Sequence, residues 1–472
     1  MSATDINRAI DLPPSDAQAD VIIARIEQLP PAAYLWRMVV LLSLGGWFEV
    51  YDLFFTGYIA PGLTRSGLLT TTTQAFFGFS GIGAFIAATF CGLFIGTFFL
   101  GFLADKYGRR SIFTWALLAY SAASVIMACQ TSASGVLLWR FIAGIGLGVE
   151  IITIDTYITE LVPSRMRGRA FAINHVVMMS AVPAVALLAW WLVPQSPLGF
   201  DGWRWVVLIG AAGSIAIWVL RLFVPESPLW LARKGRIDEA LAILKNFERA
   251  SGKPSAVEPQ PRLAARAGAS ETKIRYAELF RPPYLGLVTL FIVFNLCQAF
   301  GVYGFANWVP TLLVEKGITV TKSLQYSFII AFAYPIAPLL AASFADHVER
   351  KWVISIAAIV IGCFGFGFTQ FTEPALLILC GVMITGSNMI LSYAYHAYQA
   401  EVFPTAVRAQ AAGLVYSMSR LSAMFSGFIV AYMLRESGVG GVFGLITAAM
   451  AVVVIAMAAF GPRVKGKPLD AV

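Results

Sequence analysis

Long apolar runs separated by short polar segments set the pattern of the chain. A helix needs about 20 apolar residues to cross the hydrocarbon core of a bilayer. Such runs predict twelve spans, at about 35–61, 80–104, 111–130, 133–160, 170–193, 204–224, 285–313, 324–345, 352–371, 375–401, 408–434 and 439–461. The runs are too long for the strands of a membrane barrel and lack the alternation that such strands need. The pattern therefore predicts an all-α integral membrane protein.

The placement of positive charge predicts how the chain crosses the membrane. Only 13% of the 472 residues are charged and 58% are hydrophobic, although the net charge is +8. With a cytoplasmic amino terminus, 27 of the 34 Lys and Arg fall on the cytoplasmic side. Five fall on the other side: Arg65, Arg204, Lys316, Lys322 and Arg435. This asymmetry predicts a multi-pass protein of the cell membrane with both termini cytoplasmic, and it explains the net charge without a nucleic-acid partner.

The residues that usually carry enzyme chemistry are sparse. Five cysteines lie inside apolar runs, and three histidines are scattered without the spacing of metal ligands. No phosphate-binding loop with the spacing of an ATPase occurs. We therefore expect no enzyme activity, no metal and no cofactor.

Two motifs recur at one offset and indicate an internal duplication. Residues 101–110 read GFLADKYGRR and are echoed by ASFADHVERK at 342–351, which places Asp105 and Asp346 241 residues apart. Glu160 and Glu401, each followed by a proline three residues later, are also 241 residues apart. Parallel repeats of six helices build one large class of alternating-access carriers. The sequence thus predicts twelve transmembrane helices in two pseudo-symmetric six-helix halves.

The duplication divides the chain into five parts. The two halves are predicted at 33–225 and 284–462, joined by a cytoplasmic central loop at 226–283. Residues 1–32 form a cytoplasmic tail without the apolar core of a signal peptide. The segment from Arg25 to Pro30 is assigned to a short interfacial helix. Residues 463–472 form a second cytoplasmic tail.

The motif at 101–110 resembles the loop signature of the major facilitator superfamily, Gly-x-x-x-Asp-(Arg/Lys)-x-Gly-Arg-(Arg/Lys), which it matches in full. This resemblance implies a carrier whose two halves are latched together at the cytoplasmic face. The stretch from Pro225 to Pro228 resembles the segment after the sixth span of sugar porters. The cytoplasmic gate candidates are Asp105, Arg109, Glu160, Glu226, Asp346, Arg350 and Glu401. The alternative is a row of ordinary juxtamembrane charges.

Ionisable groups inside spans are costly and are functional candidates by default. Glu49 and Asp52 lie three residues apart near the middle of the first span, and Arg140 lies in the fourth. Two neighbouring carboxylates disfavour double ionisation, which is the property that a proton-coupling group needs. The segment also resembles the metabolite:proton symporter family, in which these two acids are matched. A permanent structural ion pair of Arg140 with Asp52 or Glu49 is the alternative.

A second buried charge points to the substrate. Arg420 lies near the centre of the eleventh span without an acid in the same span, and an anionic substrate would satisfy its guanidinium. The stretch resembles organic-anion carriers, which have an arginine at this place. Pairing with Glu401 or with a main-chain carbonyl is the alternative.

Polar and aromatic residues on otherwise apolar spans are further candidates for the substrate site. They are Gln298, Tyr303 and Asn307 in the seventh span, Asn388, Tyr395 and Gln399 in the tenth, and His175 in the fifth. Hydrogen bonds between helices are an equally good explanation for these residues. A core histidine is the alternative for His175.

These observations favour a proton-coupled symporter that imports a small organic anion, with an aromatic or heterocyclic carboxylate as one candidate. Its expected partners are that substrate, protons and the lipid bilayer, and the functional unit is expected to be a monomer. A sugar or polyol proton symporter is the first alternative. A nutrient receptor that uses a carrier fold without transport is the second.

Overall fold

The computed structural model describes residues 14–71, 81–100, 103–221, 224–250, 276–344, 348–404 and 407–463. The helices of the first half are α1 Pro14–Glu27, α2 Ala33–Tyr58, α3 Ala60–Arg65, α4 Ile82–Leu100, α5 Leu103–Tyr107, α6 Arg109–Ala128, α7 Ala133–Leu161, α8 Ser164–Met179, α9 Ala181–Leu192 and α10 Gly202–Arg221. Those that follow are α11 Pro228–Arg233, α12 Ile237–Ala250, α13 Leu285–Ala306, α14 Val309–Glu315, α15 Val320–Ala331, α16 Ala333–Phe344, α17 Arg350–Gln370, α18 Pro374–Val402 and α19 Arg408–Phe460. Short 3-10 turns cover Pro197–Gly199 and Tyr276–Phe280.

The described helices account for twelve membrane spans, as predicted. Eleven helical segments are long and apolar enough to cross a bilayer. The last of them, α19, has 53 residues and changes direction at Gly438, where φ is 62° and ψ is −160°. Glycine adopts this left-handed backbone without the steric cost that a Cβ would bring. The segments of α19 before and after Gly438 are therefore the eleventh and twelfth spans.

Two spans are interrupted, and one is shorter than predicted. The fifth span consists of α8 and α9, which meet at Ser180, and the eighth consists of α15 and α16, which meet at Phe332. The run predicted at 285–313 divides into α13 and the short helix α14, which has Pro310 in its first turn. Proline is well tolerated there because its missing N–H has no helical partner in any case.

The segment predicted as a central loop contains two helices that pack on the amino-terminal helix. Arg25 of α1 donates from Nε and Nη2 to Glu248 of α12 at 2.9 and 2.8 Å. Beneath this pair, Ile22, Leu244 and Phe247 are buried together with the ends of several spans. We call the face on which α2 begins and α19 ends the terminal face. The three helices α1, α11 and α12 form a packed layer on it.

The two halves pack closely at the face opposite the terminal face. A Cβ built on Gly57 would lie 2.6 Å from the main-chain oxygen of Asn307 in the other half. Gly83 and Gly427 form a second contact, since a Cβ on either would lie 2.7 Å from the oxygen of the other. Small residues allow such close approach of helix backbones. The path between the halves is therefore closed at this face.

Gly427→Val is expected to oppose this closure. Overpacking costs about 1–3 kcal/mol, which changes the ratio of closed to open molecules by about tenfold. Spin labels at Ser196 and Lys322, in a background without native cysteines, report the distance across the opposite face. We expect the double electron–electron resonance distance to lengthen in the variant.

Gly413→Val is the matched control for this experiment. Gly413 lies on the same helix, and a Cβ there would meet no atom within 4 Å. Its distance distribution should match that of the unmodified protein. Equal distributions for both glycine variants would show that the Gly83–Gly427 contact does not hold this face closed.

Candidate functional site

A buried ion pair joins the first and fourth spans. Nη1 of Arg140 donates to Oδ2 of Asp52 at 2.7 Å, and the Arg140 side chain is completely inaccessible to solvent. Ser124 of α6 donates its hydroxyl hydrogen to Oδ1 of Asp52 at 3.0 Å. The carboxylate of Asp52 is thus held by two other helices of the same half.

Arg140 has further acceptors besides this carboxylate. Its Nε donates to the hydroxyl of Thr89 at 2.9 Å, and Nη2 donates to the hydroxyl of Thr56 and to the main-chain oxygen of Asp52, each at 2.7 Å. The ring of Phe55 lies 4.5 Å from the guanidinium carbon. Every charged nitrogen of Arg140 is therefore hydrogen-bonded, as a guanidinium in an apolar interior requires.

Glycines bring these groups together. A Cβ on Gly144, one turn after Arg140, would lie 2.5 Å from the main-chain oxygen of Thr89 on α4. The absence of that atom lets α7 approach α4 closely enough for Arg140 to reach Thr89. The close approach that the spacing of Arg140, Gly144 and Gly148 predicts is thus present, and α4 is the helix that makes it.

Glu49 has different surroundings from Asp52. Its side chain is 2% exposed, and its charge acts on Arg420, which belongs to the other half. Asp52 therefore pairs with Arg140, whereas Glu49, three residues earlier, also acts electrostatically on Arg420.

Arg420 lies at the centre of a second polar cluster. Its Nη1 donates to the hydroxyl of Tyr303 at 3.1 Å, and Nη2 donates to the hydroxyl of Tyr416 at 3.0 Å. The guanidinium carbon also lies 4.6 Å from the centre of the Tyr416 ring. Nε of Arg420 is buried and has no hydrogen-bond partner among the described residues. Pairing with Glu401 is not realised, because that carboxylate accepts from Arg350 at 3.3 Å.

The cluster around Arg420 extends across the interface between the halves. The ring of Tyr303 lies 4.6 Å from that of Phe90 in the first half, centre to centre. His396 lies 5.3 Å from the ring of Tyr416 and interacts electrostatically with His175 of the first half. We call this group the central site, and its members are Glu49, His175, Tyr303, His396, Tyr416 and Arg420.

Other predicted residues of spans seven and ten make contacts within the second half. Asn388 donates to the main-chain oxygen of Gly301 at 3.0 Å. Tyr395 is 1% exposed and receives a hydrogen bond of 2.6 Å from Asn295. Both contacts are hydrogen bonds between helices, and a part for either residue in the substrate site stays a prediction.

The last three substrate-site candidates, Asn307, Gln298 and Gln399, lie at different depths along their spans. Asn307 lies at the closed opposite face, where its main chain contacts Gly57. Gln298 is buried within α13, 8% exposed. Gln399 is buried two residues before Glu401, toward the terminal face, and its Oε1 has no hydrogen-bond partner among the described residues.

Sequence reasoning missed several polar partners. Thr56 lies four residues after Asp52 and accepts from Arg140, the partner of that acid. Tyr416 lies four residues before Arg420 and accepts from it. His396 continues the row of Asn388 and Ser392 at the same spacing of four. This helical spacing is the signal that points to all three residues.

The gate candidates form two equivalent ion pairs on the terminal face. Arg109 pairs with Glu160 at 3.1 Å and Arg350 pairs with Glu401 at 3.3 Å, and both pairs span 51 residues. Each of these pairs joins two helices of one half. The Arg109–Glu160 pair joins α6 and α7 of the first half, and a charge network with Asp105 that holds the two halves together stays a prediction.

The remaining gate candidates are Glu226, Asp105 and Asp346. Oε1 of Glu226 accepts from the main-chain N–H of Arg110 at 3.0 Å, which satisfies one free donor at the start of α6. The side chain of Asp105 and the whole of Asp346 lie outside the described residues. Within the part of the chain that the structure describes, no group of three or more His, Cys, Asp or Glu residues is placed to hold a metal.

Two six-helix halves with a buried polar site between them are the arrangement of a small-molecule transporter. The model of a family described as "Sugar (and other) transporter" matches residues 38–472. The chain belongs to this family, within the major facilitator superfamily, and it is a multi-pass membrane protein.

Curated relatives are similar over nearly the whole chain. The chain is 26% identical over 450 residues to the putative metabolite transport protein YyaJ of Bacillus subtilis, covering 94% of this chain and 96% of the relative. It is 27% identical over 460 residues to the niacin transporter NiaP of Acinetobacter baylyi, covering 96% of this chain and 99% of the relative.

Solved structures share the fold. The inward-open conformation of the xylose transporter XylE from E. coli superposes with a TM-score of 0.74 at 20% identity, covering 92% of this chain and 98% of that one. The crystal structure of a D-xylose-proton symporter gives a TM-score of 0.72 at 20% identity, covering 92% of this chain and 100% of that one.

Glu160→Gln is expected to destabilise the purified protein. The paired side chains of Arg109 and Glu160 are each 8% exposed, so the variant removes a negative charge next to a buried guanidinium. We expect the melting temperature to fall by at least about 3 °C. Thermal unfolding in detergent measures it.

Glu239→Gln is the control, since Glu239 pairs with Arg236 at 2.6 Å but its side chain is 56% exposed. An exposed pair contributes little in water. We expect no measurable change in the melting temperature for this variant. Equal effects of the two substitutions would contradict a stabilising role for the Arg109–Glu160 pair.

Proposed function

We propose that the protein is a proton-coupled symporter that imports a small organic anion, for which an aromatic or heterocyclic carboxylate is the favoured class. The anion binds at the central site, and Asp52 carries the proton. The observation that carries this proposal is the guanidinium of Arg420, buried between the halves and bonded only to neutral hydroxyl groups among its hydrogen-bond partners.

A carboxylate suits this guanidinium better than the surrounding hydroxyl groups do. Hydrogen bonds between a guanidinium and a carboxylate are charge-assisted and are roughly twice as strong as neutral ones. The unpartnered Nε of Arg420 offers one donor that no described protein group uses. The rings of Phe90, Tyr303 and Tyr416 provide apolar and aromatic surface beside it. This combination favours an anion that also has an apolar or aromatic body.

The surroundings of Arg140 support a reversible role for Asp52. If Asp52 takes up a proton, Arg140 loses an ionic partner but keeps the acceptors on Thr56, Thr89 and the main chain. The guanidinium is then not left bare in an apolar interior, which would be costly. Protonation of Asp52 therefore has a smaller energetic penalty than in an isolated pair, as a proton-coupling group requires.

The relatives are consistent with an anionic substrate. One of them is named as a niacin transporter, and niacin is a pyridine carboxylate. The family description also includes sugars, and a sugar or polyol proton symporter is the second candidate. Amide groups with a free oxygen, such as that of Asn388, favour this alternative because neutral polyols offer many donors.

The positive charges assign the terminal face to the cytoplasm, with both termini there and the cell membrane as the location. The closed opposite face is then extracellular. Each chain contains both halves and the complete central site, so we propose a monomer as the functional unit.

Asp52→Asn is expected to separate exchange from accumulation. Asparagine keeps an acceptor for Arg140 but cannot release a proton, so the empty carrier cannot return in its deprotonated form. We expect uptake driven by a pH gradient to be abolished in proteoliposomes. Exchange between loaded vesicles and medium should remain and should no longer depend on pH.

Asp201→Asn is the matched control, because Asp201 is an acid outside the spans that pairs with Arg204 at 3.3 Å. It should accumulate substrate as the unmodified protein does. If Asp52→Asn still concentrates substrate, proton coupling resides elsewhere, and Glu49 becomes the first candidate. Loss of all binding would place Asp52 in the substrate site or in the structural core.

Arg420→Ala is expected to abolish selection for carboxylates. Losing one partner of a buried charge pair costs about 2 kcal/mol or more, which corresponds to about 30-fold in affinity. Arg420→Lys should restore binding only in part, because a point charge lacks the planar fork of a guanidinium. Binding of benzoate and nicotinate to purified protein, measured by calorimetry, tests both variants.

Arg435→Ala is the control on the same helix, since the side chain of Arg435 is 43% exposed. It should bind carboxylates normally. Unchanged binding by a folded Arg420→Ala variant would remove the main support for an organic anion. Preferential binding of neutral sugars by the unmodified protein would favour the alternative.

A further inference from the structure

The ring of His396 has one nitrogen with a hydrogen-bond partner and one without such a partner among the described residues. Nδ1 lies 2.7 Å from the main-chain oxygen of Ser392. A carbonyl oxygen only accepts hydrogen bonds, so Nδ1 carries the hydrogen of this contact. In the neutral ring the other nitrogen, Nε2, then has a lone pair and is a hydrogen-bond acceptor.

His396 lies among the groups of the central site, beside Tyr416. Its side chain is exposed although it lies well inside the span α18. It interacts electrostatically with His175 of the other half and with Arg420. The described residues supply no partner for Nε2, so the nitrogen is open to a ligand.

His396 and Arg420 lie against the same aromatic ring. The ring of His396 is 5.3 Å from that of Tyr416, centre to centre, and the guanidinium carbon of Arg420 is 4.6 Å from it. The two groups are therefore no further apart than the sum of these distances. One small ligand can reach an acceptor on His396 and a cation on Arg420 together.

Resting on the proposed function, we infer that His396 is a specificity residue and that the substrate is a carboxylate which also carries an O–H or N–H donor. The carboxylate binds Arg420 and the donor binds Nε2 of His396. A ligand without the donor leaves this lone pair desolvated and unpaired, which weakens binding. A hydroxylated aromatic acid satisfies both groups, whereas an acid whose second polar atom only accepts does not.

Matched benzoates test this inference on the unmodified protein. The probes are benzoate, the three hydroxybenzoate isomers and their methoxy counterparts, which keep the oxygen but lack its hydrogen. Affinity is measured by calorimetry on the purified protein at a pH at which the imidazole is neutral. We expect the best hydroxybenzoate to bind about tenfold more tightly than its methoxy counterpart.

His396→Phe should remove this preference. The variant keeps an aromatic ring beside Tyr395 and Tyr416 but has no acceptor, so the ratio of the two affinities should fall to about one. His396→Gln restores an acceptor oxygen and should recover part of the ratio. Arg435→Ala, outside the central site, should leave the ratio unchanged.

The outcomes separate this inference from the proposed function. If carboxylates bind through Arg420 but hydroxy and methoxy probes bind equally to the unmodified protein, the role of His396 is wrong and the anion proposal stands. The ring nitrogen of nicotinate only accepts hydrogen bonds. If the unmodified protein binds nicotinate more tightly than the hydroxybenzoates, and His396→Phe loses this affinity, His396 donates and the inference is overturned. If no carboxylate binds, both proposals fail.

Discussion

The buried guanidinium of Arg140 imposes the constraint on which the first half depends. Its nitrogens need acceptors in a place that water does not reach, and four oxygens of Asp52, Thr56 and Thr89 on two helices supply them. The acceptor on Thr89 comes within reach because Gly144 lets α4 and α7 approach closely. A larger side chain on Gly144 would separate the helices and leave part of the charge unsatisfied. In this half, the burial of the Arg140 charge therefore depends on the close packing of α4 against α7.

Helix α2 connects this constraint with the interface between the halves. Within three turns it carries Glu49, whose charge acts on Arg420, then Asp52, which holds Arg140, and then Gly57, which contacts Asn307 at the closed face. In the proposed function, protonation of Asp52 alters the charge on the same helix that lines the central site and forms the closure. In the proposed function, helix α2 therefore connects the proton site, the substrate site and the closed face directly.

The duplication is visible in the ion pairs of the terminal face and absent from the central site. Arg109–Glu160 and Arg350–Glu401 occupy equivalent positions and tie equivalent helices. Arg140 and Arg420 have no such correspondence, because position 381, which is equivalent to Arg140, is a glycine. The helices and their terminal ion pairs are therefore repeated in the two halves. The buried arginines are not repeated, since Arg140 in the first half and Arg420 in the second occupy positions that do not correspond.

The sequence by itself determined the spans, the duplication and the membership of a transporter class. The spans follow from a local pattern, since a bilayer demands about 20 apolar residues per helix and satisfies no backbone group in its core. The duplication follows from two motifs at one offset, and the transporter class from the resemblance of the loop at 101–110. It also marked Asp52, Arg140 and Arg420, because a charge inside a span is conspicuous wherever it lies. Only the tertiary structure decided which groups meet: that Asp52 pairs with Arg140, that Tyr395 accepts a hydrogen bond from Asn295, and that His396 lies beside Tyr416. Helical periodicity fixes which residues share a face, but the packing of helices far apart in the chain decides what that face touches.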